Sequence, residues 1–265
     1  MTRWRRFRRS ALLLPLALLL LASACRREPT RDEVESFAAA NAALAQATTP
    51  AECRAIAARY EELLVRAGAN GAVLHGLGNA WFRAGDAGRA IAAWRRAERL
   101  RPRDPWLAAN LAQARQGLPT GTASLVELLL PWRDELSIGE QAWTFTLTSA
   151  LACLALLGQR GLPRARATLR AVAWLTAVLA ILALLTFART ILATSFTRHA
   201  VISGTTEEGD VVVRKGDGES FAPALTEAVR PGTECIVRDT RGGYVQVELP
   251  GGHVGWVPES RVVAY

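Results

Sequence analysis

Two long apolar stretches stand out in the pattern of hydrophobic and polar positions along the chain. Residues 142–157 and 171–188 contain no charged side chain, and the linker between them carries Arg160, Arg164, Arg166 and Arg170. As a helix, the second stretch is about 27 Å long, close to the roughly 30 Å hydrocarbon core of a bilayer. The pattern therefore predicts a transmembrane hairpin with three parts: 138–158, the Arg-rich loop 159–170, and 171–192.

The arginines also predict which side of the membrane each segment occupies. Short Arg-rich loops stay in the cytoplasm, so both long flanking segments are expected on the outer side. The N-terminus agrees by an independent route, because a cluster of arginines precedes an apolar core at 11–22 that is short for a membrane span. This is the pattern of an export signal, predicted at residues 1–24.

The processing of this signal is left open by the run Leu21-Ala22-Ser23-Ala24-Cys25. Small residues before a cysteine resemble a bacterial lipobox, in which Cys25 is lipidated and becomes the mature N-terminus. Ala22 and Ala24 also form an A-x-A site for ordinary signal peptidase. An uncleaved anchor is the third alternative, and all three give the same topology.

Residues 25–118 form an Ala-rich, helix-periodic segment that is interrupted by turn residues. Its sharpest part runs Leu74-x-x-Leu77-Gly78-x-x-Trp81, then Ala90-x-x-x-Trp94-x-x-Ala97, and closes at Pro102. This part resembles a tetratricopeptide repeat, whose period is about 34 residues. Weaker copies one period away carry Leu44, Ile56, Tyr60 and Leu63 on one side, and Trp106, Ala108, Leu111 and Ala112 on the other. The resemblance implies about two and a half repeats.

The same resemblance implies a peptide-binding groove. Tetratricopeptide arrays are interaction scaffolds, and first-helix positions that face away from the repeat core line their concave surface. The positions are His75, Asn79, Phe82 and Arg83, with Asn110 and Gln113 in the next helix. An Asn and an Arg one turn apart suit a peptide backbone or a carboxylate. The alternatives are a packing role for Asn79 and a solvated surface position for His75.

A connector, residues 119–137, precedes the first membrane helix. Its apolar residues recur at helical spacing between charged ones: Leu125, Leu128, Leu129, Trp132 and Leu136. An amphipathic helix in the membrane interface explains this pattern. A capping helix of the repeat array explains it equally well.

Residues 193–265 change to short β-type runs separated by turns rich in Gly and Pro. The run Tyr244-Val-Gln-Val, followed by a Gly-rich hairpin and Gly255-Trp256-Val257, resembles a bacterial SH3-like barrel over about residues 201–263. Such barrels bind peptides or cell-wall material on an aromatic surface, which makes Tyr244 and Trp256 the expected binding residues. Tyr244 departs from the Trp usual in that family. Alternatively, Trp256 belongs to the barrel core.

Composition argues against several function classes. The 265 residues carry a formal net charge of +8, but many arginines lie in the export signal and the hairpin loop, so nucleic acid is not an expected partner. A signal and a hairpin leave room for two small separate domains rather than one large catalytic core. No phosphate loop, G-x-S-x-G or H-E-x-x-H is present, so we expect no catalytic residues and no cofactor.

Cysteine spacing adds no redox or metal chemistry. Cys25, Cys53, Cys153 and Cys235 form no C-x-x-C pair, so no metal site is expected. Cys53 and Cys235 both belong to the outer segments and are expected to be buried thiols. A disulfide between them is the less favoured alternative, because they belong to separate domains.

The order of the parts predicts a multidomain membrane protein: an all-α tetratricopeptide array, a transmembrane α-hairpin and an all-β SH3-like barrel. This order resembles the BatE-type proteins of the Bacteroides aerotolerance operon. The resemblance implies a non-enzymatic component of the bacterial inner membrane, with both soluble domains facing the periplasm or the cell exterior. It also implies work beside membrane proteins with von Willebrand factor A domains and a cytoplasmic MoxR-type ATPase.

Two hypotheses follow for its role. In the first, the protein is an assembly scaffold that binds protein partners in an aerotolerance or envelope-stress complex. In the second, it is an envelope sensor whose SH3-like domain binds a cell-wall peptide and signals through the hairpin. Hydroxyl side chains of the first span would then serve as inter-helix hydrogen-bonding positions: Thr144, Thr146, Thr148 and Ser149.

Overall fold

The computed structural model describes residues 28–119, 135–196, 198–205 and 207–265. Within these ranges the chain forms seven α-helices and one sheet of five antiparallel strands. The predicted export signal, Cys25 and most of the predicted connector lie outside the described residues. By its contacts the chain divides into two compact units. One contains the helical hairpin, and the other combines the remaining helices with the sheet.

Five helices precede the hairpin: α1 (Arg31–Gln46), α2 (Pro50–Ala67), α3 (Gly71–Arg83), α4 (Ala87–Leu100) and α5 (Pro105–Ala114). Each begins at a polar residue whose side chain accepts hydrogen bonds from the first free backbone N–H groups. Thr30 and Thr49 form capping boxes with Glu33 and Glu52. The caps of α3, α4 and α5 are Asn70, Asp86 and Asp104. Each helix packs against the next one in the chain.

The predicted core face is confirmed in α1, α2 and α3, and only in part in α5. Leu74, Leu77 and Trp81 of α3 are buried. In the neighbouring helices, four more predicted core positions are also buried: Leu44, Ile56, Tyr60 and Leu63. A Cβ at Gly78 would lie 2.8 Å from Cε2 of Trp94, so a glycine is required where α3 meets α4. In α5 Leu111 is buried as predicted, but Trp106 is 75% exposed and Ala108 and Ala112 are also exposed. Leu107 is buried in their place.

The sheet comprises β1 (Arg198–Ile202), β2 (Glu234–Arg241), β3 (Tyr244–Glu248), β4 (Val254–Pro258) and β5 (Val262–Ala264). Its strand order is β4-β3-β2-β1-β5, so it is an open sheet with β4 and β5 at its edges. Val245, Val247 and Val257 point into its core. One of the β-type runs, Val211-Val212-Val213, does not form a regular strand, because Val211 and the following Arg214 make only isolated bridges.

The sheet packs directly against α4, through β1 and β5. Val201 of β1 belongs to the same buried cluster as the helix core, and the Ser203 hydroxyl donates to the buried Asp86 carboxylate at 3.1 Å. Glu234 of β2 accepts two hydrogen bonds from Arg95 of α4, at 2.6 and 3.1 Å. These helices and the sheet therefore form one unit around a shared interface.

The hairpin consists of α6 (Ile138–Gly161), a 3₁₀ turn (Pro163–Ala165) and α7 (Arg166–Phe196). Segments Ile138–Gln159 and Pro163–Leu192 have mean hydropathies of 1.3 and 2.4, and both are long and apolar enough to cross a membrane. The second helix begins earlier than predicted. By length and composition, the hairpin thus contains the two candidate membrane spans that the apolar pattern predicts.

Polar contacts inside the hairpin differ from the hypothesis for the first span. The hydroxyls of Thr144, Thr146 and Thr148 donate to carbonyls of their own helix, at 2.7 to 2.8 Å. The bond between the helices comes instead from the Thr190 hydroxyl, which donates to Oε1 of Gln141 at 3.1 Å. In apolar surroundings, serine and threonine hydroxyls commonly donate to carbonyls of their own helix, as these three threonines do.

Candidate functional site

A cavity of about 420 Å³ opens among the helices that precede the hairpin. Helices α1, α3, α4 and α5 contribute its lining: Asn41, Leu44, Ala45, Asn79, Phe82, Arg83, Trp94, Asn110 and Gln113. We call this cavity the groove. The structure thus brings five of the six predicted groove residues together. The sixth, His75, is a neighbour of Asn110 and is not part of the lining.

The lining from α1 and the contribution of Trp94 were not predicted. Asn41 and Ala45 lie in the segment where the repeat pattern is weakest, and Leu44 was predicted only as a position of the repeat core. Trp94 was assigned only to the repeat core, and it is indeed almost completely buried. The one available signal was periodicity, because Ala45, Asn79 and Gln113 lie one repeat period apart.

Asn79 is held by hydrogen bonds to the protein interior. Its Oδ1 accepts from Nε1 of Trp94 at 3.3 Å and from Nδ2 of Asn110 at 2.9 Å. Nδ2 of Asn110 also lies 3.0 Å from Nε2 of His75. Asn79 therefore does have the packing role considered as an alternative. That role uses its oxygen and fixes the direction of its amide.

The remaining amide atoms of these residues lack partners within the described part of the chain. Nδ2 of Asn79 and Oδ1 of Asn110 make no hydrogen bond there, and both residues line the groove. On α1, Oδ1 of Asn41 accepts from the Tyr60 hydroxyl at 2.6 Å. Nδ2 of Asn41 likewise has no hydrogen-bond partner within the described residues. The groove wall thus presents oriented amide donors and an acceptor, the groups that pair with a peptide backbone.

Arg83 is committed to a structural contact. Its guanidinium donates to the main-chain oxygens of Leu44 and Ala47 at the end of α1. Helix α1 has no basic residue in its own last turn, so Arg83 supplies the donors that its terminal carbonyls need. Asn79 and Arg83 thus both line the groove, as predicted, but Arg83 holds α1 against α3 instead of being free for a ligand.

His75 connects the groove to the start of α5. Its Nδ1 lies 3.8 Å from Oδ2 of Asp104, the N-cap of that helix. Burial lowers the pKa of His75; the Asp104 carboxylate opposes this shift, and Arg101 adds to it. At neutral pH the ring is therefore uncharged, and Nε2 accepts from Asn110. His75 acts as a support of the groove amides.

We expect the helix–sheet unit to lose stability as the pH falls below about 6.5, the ordinary pKa of histidine. The pKa values of His75 and His199 are both lowered, first by burial. For His199, Arg99 and Arg95 add to the lowering and Glu234 opposes it. Above pH 6.5 the two histidines are uncharged in both the folded and the unfolded chain. Below it the histidines of the unfolded chain bind protons first, so the unfolded state is favoured.

Hydrogen exchange of α3 and β1 in the detergent-solubilised full chain, between pH 7.5 and 5, measures this dependence. His75→Gln and His199→Gln should each flatten it. Two variants that both keep the wild-type slope would contradict the assignment to these histidines.

The second predicted site lies on the sheet. Pairing of Tyr244 with Pro258 and of Gln246 with Trp256 places both aromatic residues on the face opposite the sheet core. Trp256 is only 8% exposed, and the Arg241 guanidinium lies 5.9 Å from its ring centroid. Little of the indole surface is therefore accessible to a ligand in this conformation.

Within the described residues, no three His, Cys, Asp or Glu side chains are grouped to hold a metal ion. Cys53 and Cys235 are free buried thiols, in agreement with the prediction, and Cys153 is also free. Burial raises the pKa of Cys235 to about 12, so its thiol stays protonated and unreactive.

No protein-family model matches the sequence, and no curated protein is significantly similar to it.

Proposed function

We propose that this protein is a non-enzymatic membrane scaffold whose groove binds an extended segment of a partner protein. The observation that supports this most directly is the row of amide side chains on the groove wall, each fixed on one side and open on the other. Asn79, Asn110 and Asn41 share this arrangement. A fixed amide binds a peptide backbone at a low entropic cost, because its orientation is already set.

The helices are proposed to be a short tetratricopeptide array. Tyr60 and Trp94 lie one repeat period apart, both are almost completely buried, and each donates to the Oδ1 of a groove asparagine. Asn70 and Asp104, the N-caps of α3 and α5, are also one period apart. These equivalences in burial and hydrogen bonding support a repeat more strongly than sequence spacing alone.

The sheet is proposed to be an SH3-like domain that anchors the array at the membrane. Its antiparallel order and its Gly-rich turn between β3 and β4 fit such a domain. Helix α7 ends at Phe196 and β1 begins at Arg198, so the sheet follows the second span directly. The burial of Trp256 favours the scaffold over the sensor hypothesis, because its indole offers a cell-wall peptide little surface to bind.

The packing of the array against the sheet supports two membrane crossings. Segments that fold together must lie on the same side of a membrane, yet the two candidate spans separate these in the chain. With an Arg-rich loop between the spans, we propose the bacterial inner membrane and a periplasmic position for the whole unit. The proposed partners are von Willebrand factor A domain membrane proteins of a BatE-type complex.

A pull-down from gently solubilised membranes tests the scaffold. We expect a partner set with the wild-type protein that is depleted about tenfold by the Asn79→Ala, Gln113→Ala double variant, since each lost hydrogen bond costs about 0.5–1.5 kcal/mol. Gln116→Ala is the matched control, because Gln116 is exposed near Gln113 but does not line the groove. Partner sets that are the same for all three proteins would refute the groove. Arg83 is unsuitable for this test, because its loss would release α1.

A further inference from the structure

The chemistry of the groove restricts the kind of peptide that it accepts. Of the residues that line it, Arg83 carries the ionised side chain, and both terminal nitrogens of its guanidinium donate to α1 carbonyls. Two of its five N–H groups are thus committed, and the guanidinium lies at the negative, C-terminal end of α1. A free C-terminal carboxylate in the groove would therefore lose its hydration and gain only a guanidinium whose charge the α1 carbonyls already partly balance.

The open polar groups fit uncharged main-chain amides instead. Asn79 and Asn110 are joined by the 2.9 Å hydrogen bond between them, so the free Nδ2 of one and the free Oδ1 of the other are neighbours on the wall. A peptide unit offers one acceptor and one donor. An extended segment can thus satisfy both amides with one carbonyl and one N–H group, without any terminal charge.

Apolar surface accounts for the rest of the lining. Leu44, Ala45, Phe82 and Trp94 all contribute to it. The rings of Phe82 and Trp94 lie 5.5 Å apart and are tilted by 45°, while Phe82 remains 36% exposed. The exposed ring of Phe82, supported by the buried Trp94, therefore suits contact with an aliphatic or aromatic side chain of a ligand.

We infer that the groove takes an internal, extended segment of a partner protein that presents main-chain amides and an apolar side chain, and that it discriminates against a free carboxylate terminus. This inference rests on the proposed peptide-binding function. It deepens that function by naming which part of a partner is recognised. Because recognition is internal, the partner need not end near the groove.

Two phage-displayed libraries of random peptides separate these possibilities. One library carries each peptide between flanking linkers, and the other exposes each peptide with a free C-terminus. Both are selected against the full chain in lipid nanodiscs. We expect the flanked library to enrich peptides with apolar residues at least tenfold more on the wild-type chain than on Phe82→Ala or Asn79→Ala. Gln116→Ala should behave like the wild type.

An enriched peptide is then synthesised in two forms, with an amidated end and with a free carboxylate, and fluorescence anisotropy gives the two affinities. Equal or tighter binding of the amidated form is the expected result. Enrichment confined to the free-terminus library, or tenfold tighter binding of the carboxylate form, would overturn the inference and leave the peptide groove intact. If neither library shows enrichment that depends on Phe82 or Asn79, the proposed function itself fails. Hydrogen exchange of α3 verifies that each variant is folded.

Discussion

Replacement of Glu234 by alanine is expected to destabilise the helix–sheet unit by about 3–5 kcal/mol, the cost of leaving a buried charge without its partner. The Glu234 side chain is 19% exposed. It accepts from Arg95 at 2.6 Å, lies 3.1 Å from the Arg115 guanidinium, and accepts from the Tyr265 hydroxyl at 3.2 Å. Without the carboxylate, the largely buried Arg95 keeps Glu98 as its one counter-charge among the described residues.

The ionisation of Glu234 supports this expectation. Burial by itself would raise its pKa, but the hydrogen bonds and charge of Arg95, with the charge of Arg115, lower the pKa overall. The carboxylate is therefore charged at neutral pH and holds both arginines. Glu234→Gln keeps the shape but loses the charge, so we expect a smaller loss than for alanine.

Hydrogen exchange of α4, β1 and β2 in the detergent-solubilised chain gives the local free energy of opening. Glu248→Ala is the matched control, because Glu248 lies in the same sheet and pairs with Arg238, whose side chain is 54% exposed. Exposed pairs contribute about 0–1 kcal/mol. Equal effects of Glu234→Ala and Glu248→Ala would show that the buried cluster does not hold the sheet to the helices.

Glu234→Ala should also weaken peptide binding in the groove, although Glu234 does not line it. Arg115 caps the C-terminal end of α5, and α5 carries Asn110 and Gln113. Only Leu107 and Leu111 of this short helix are buried, so its position depends on the contact with Glu234. We therefore expect Glu234→Ala to lower the affinity for a peptide selected on the groove, although Glu234 lies in the sheet.

Local pattern predicted the helices and most of the groove, because both depend on neighbours three or four residues apart. Asn79, Phe82 and Arg83 share one face of α3, and that face could be identified from spacing alone. The role of Arg83 could not, since its partners on α1 lie 36 and 39 residues away.

The parts that sequence reasoning missed all depend on distant contacts. Arg95 and Glu234 are 139 residues apart, and nothing local distinguishes them from surface charges. Strands β1 and β5 are short, and they pair with each other although β2, β3 and β4 lie between them in the chain. Because no tight turn joins them, the sequence contains no hairpin pattern that would predict their pairing. The run at 211–213 has strong β propensity, yet its neighbours allow isolated bridges rather than a ladder.

Gly88→Ala is expected to be the second severe substitution, with a net cost of about 1–3 kcal/mol from overpacking. Gly88 lies in the first turn of α4, where alanine would otherwise gain about 1 kcal/mol in helix propensity. An added Cβ would overlap the main-chain oxygen of Ile202 and lie 2.6 Å from Cα of Ser203. These are backbone atoms, so no side-chain rotation relieves the overlap.

The backbone at this point is held from two sides. The N–H of Ile202 donates to Thr233 at 2.9 Å, and the N–H of Ser203 donates to Arg261 at 2.8 Å. To admit the methyl group, the sheet must therefore move away from α4 as a body. Such a movement would also lengthen the bond from the Ser203 hydroxyl to Asp86. We expect hydrogen exchange to increase in α4 and β1 together, and to increase less in α1 and α2.

Gly218→Ala provides the matched control, since its added Cβ meets nothing closer than 3.7 Å and the substitution is the same. It should leave exchange near the wild-type level. If Gly88→Ala also left α4 and β1 fully protected, the close approach of helix to sheet would be wrong. The argument that both soluble segments share one side of the membrane would then lose its physical basis. Loosening of α4 and β1 that spares α1 and α2 would support it, because segments that share an interface lose protection together when that interface opens.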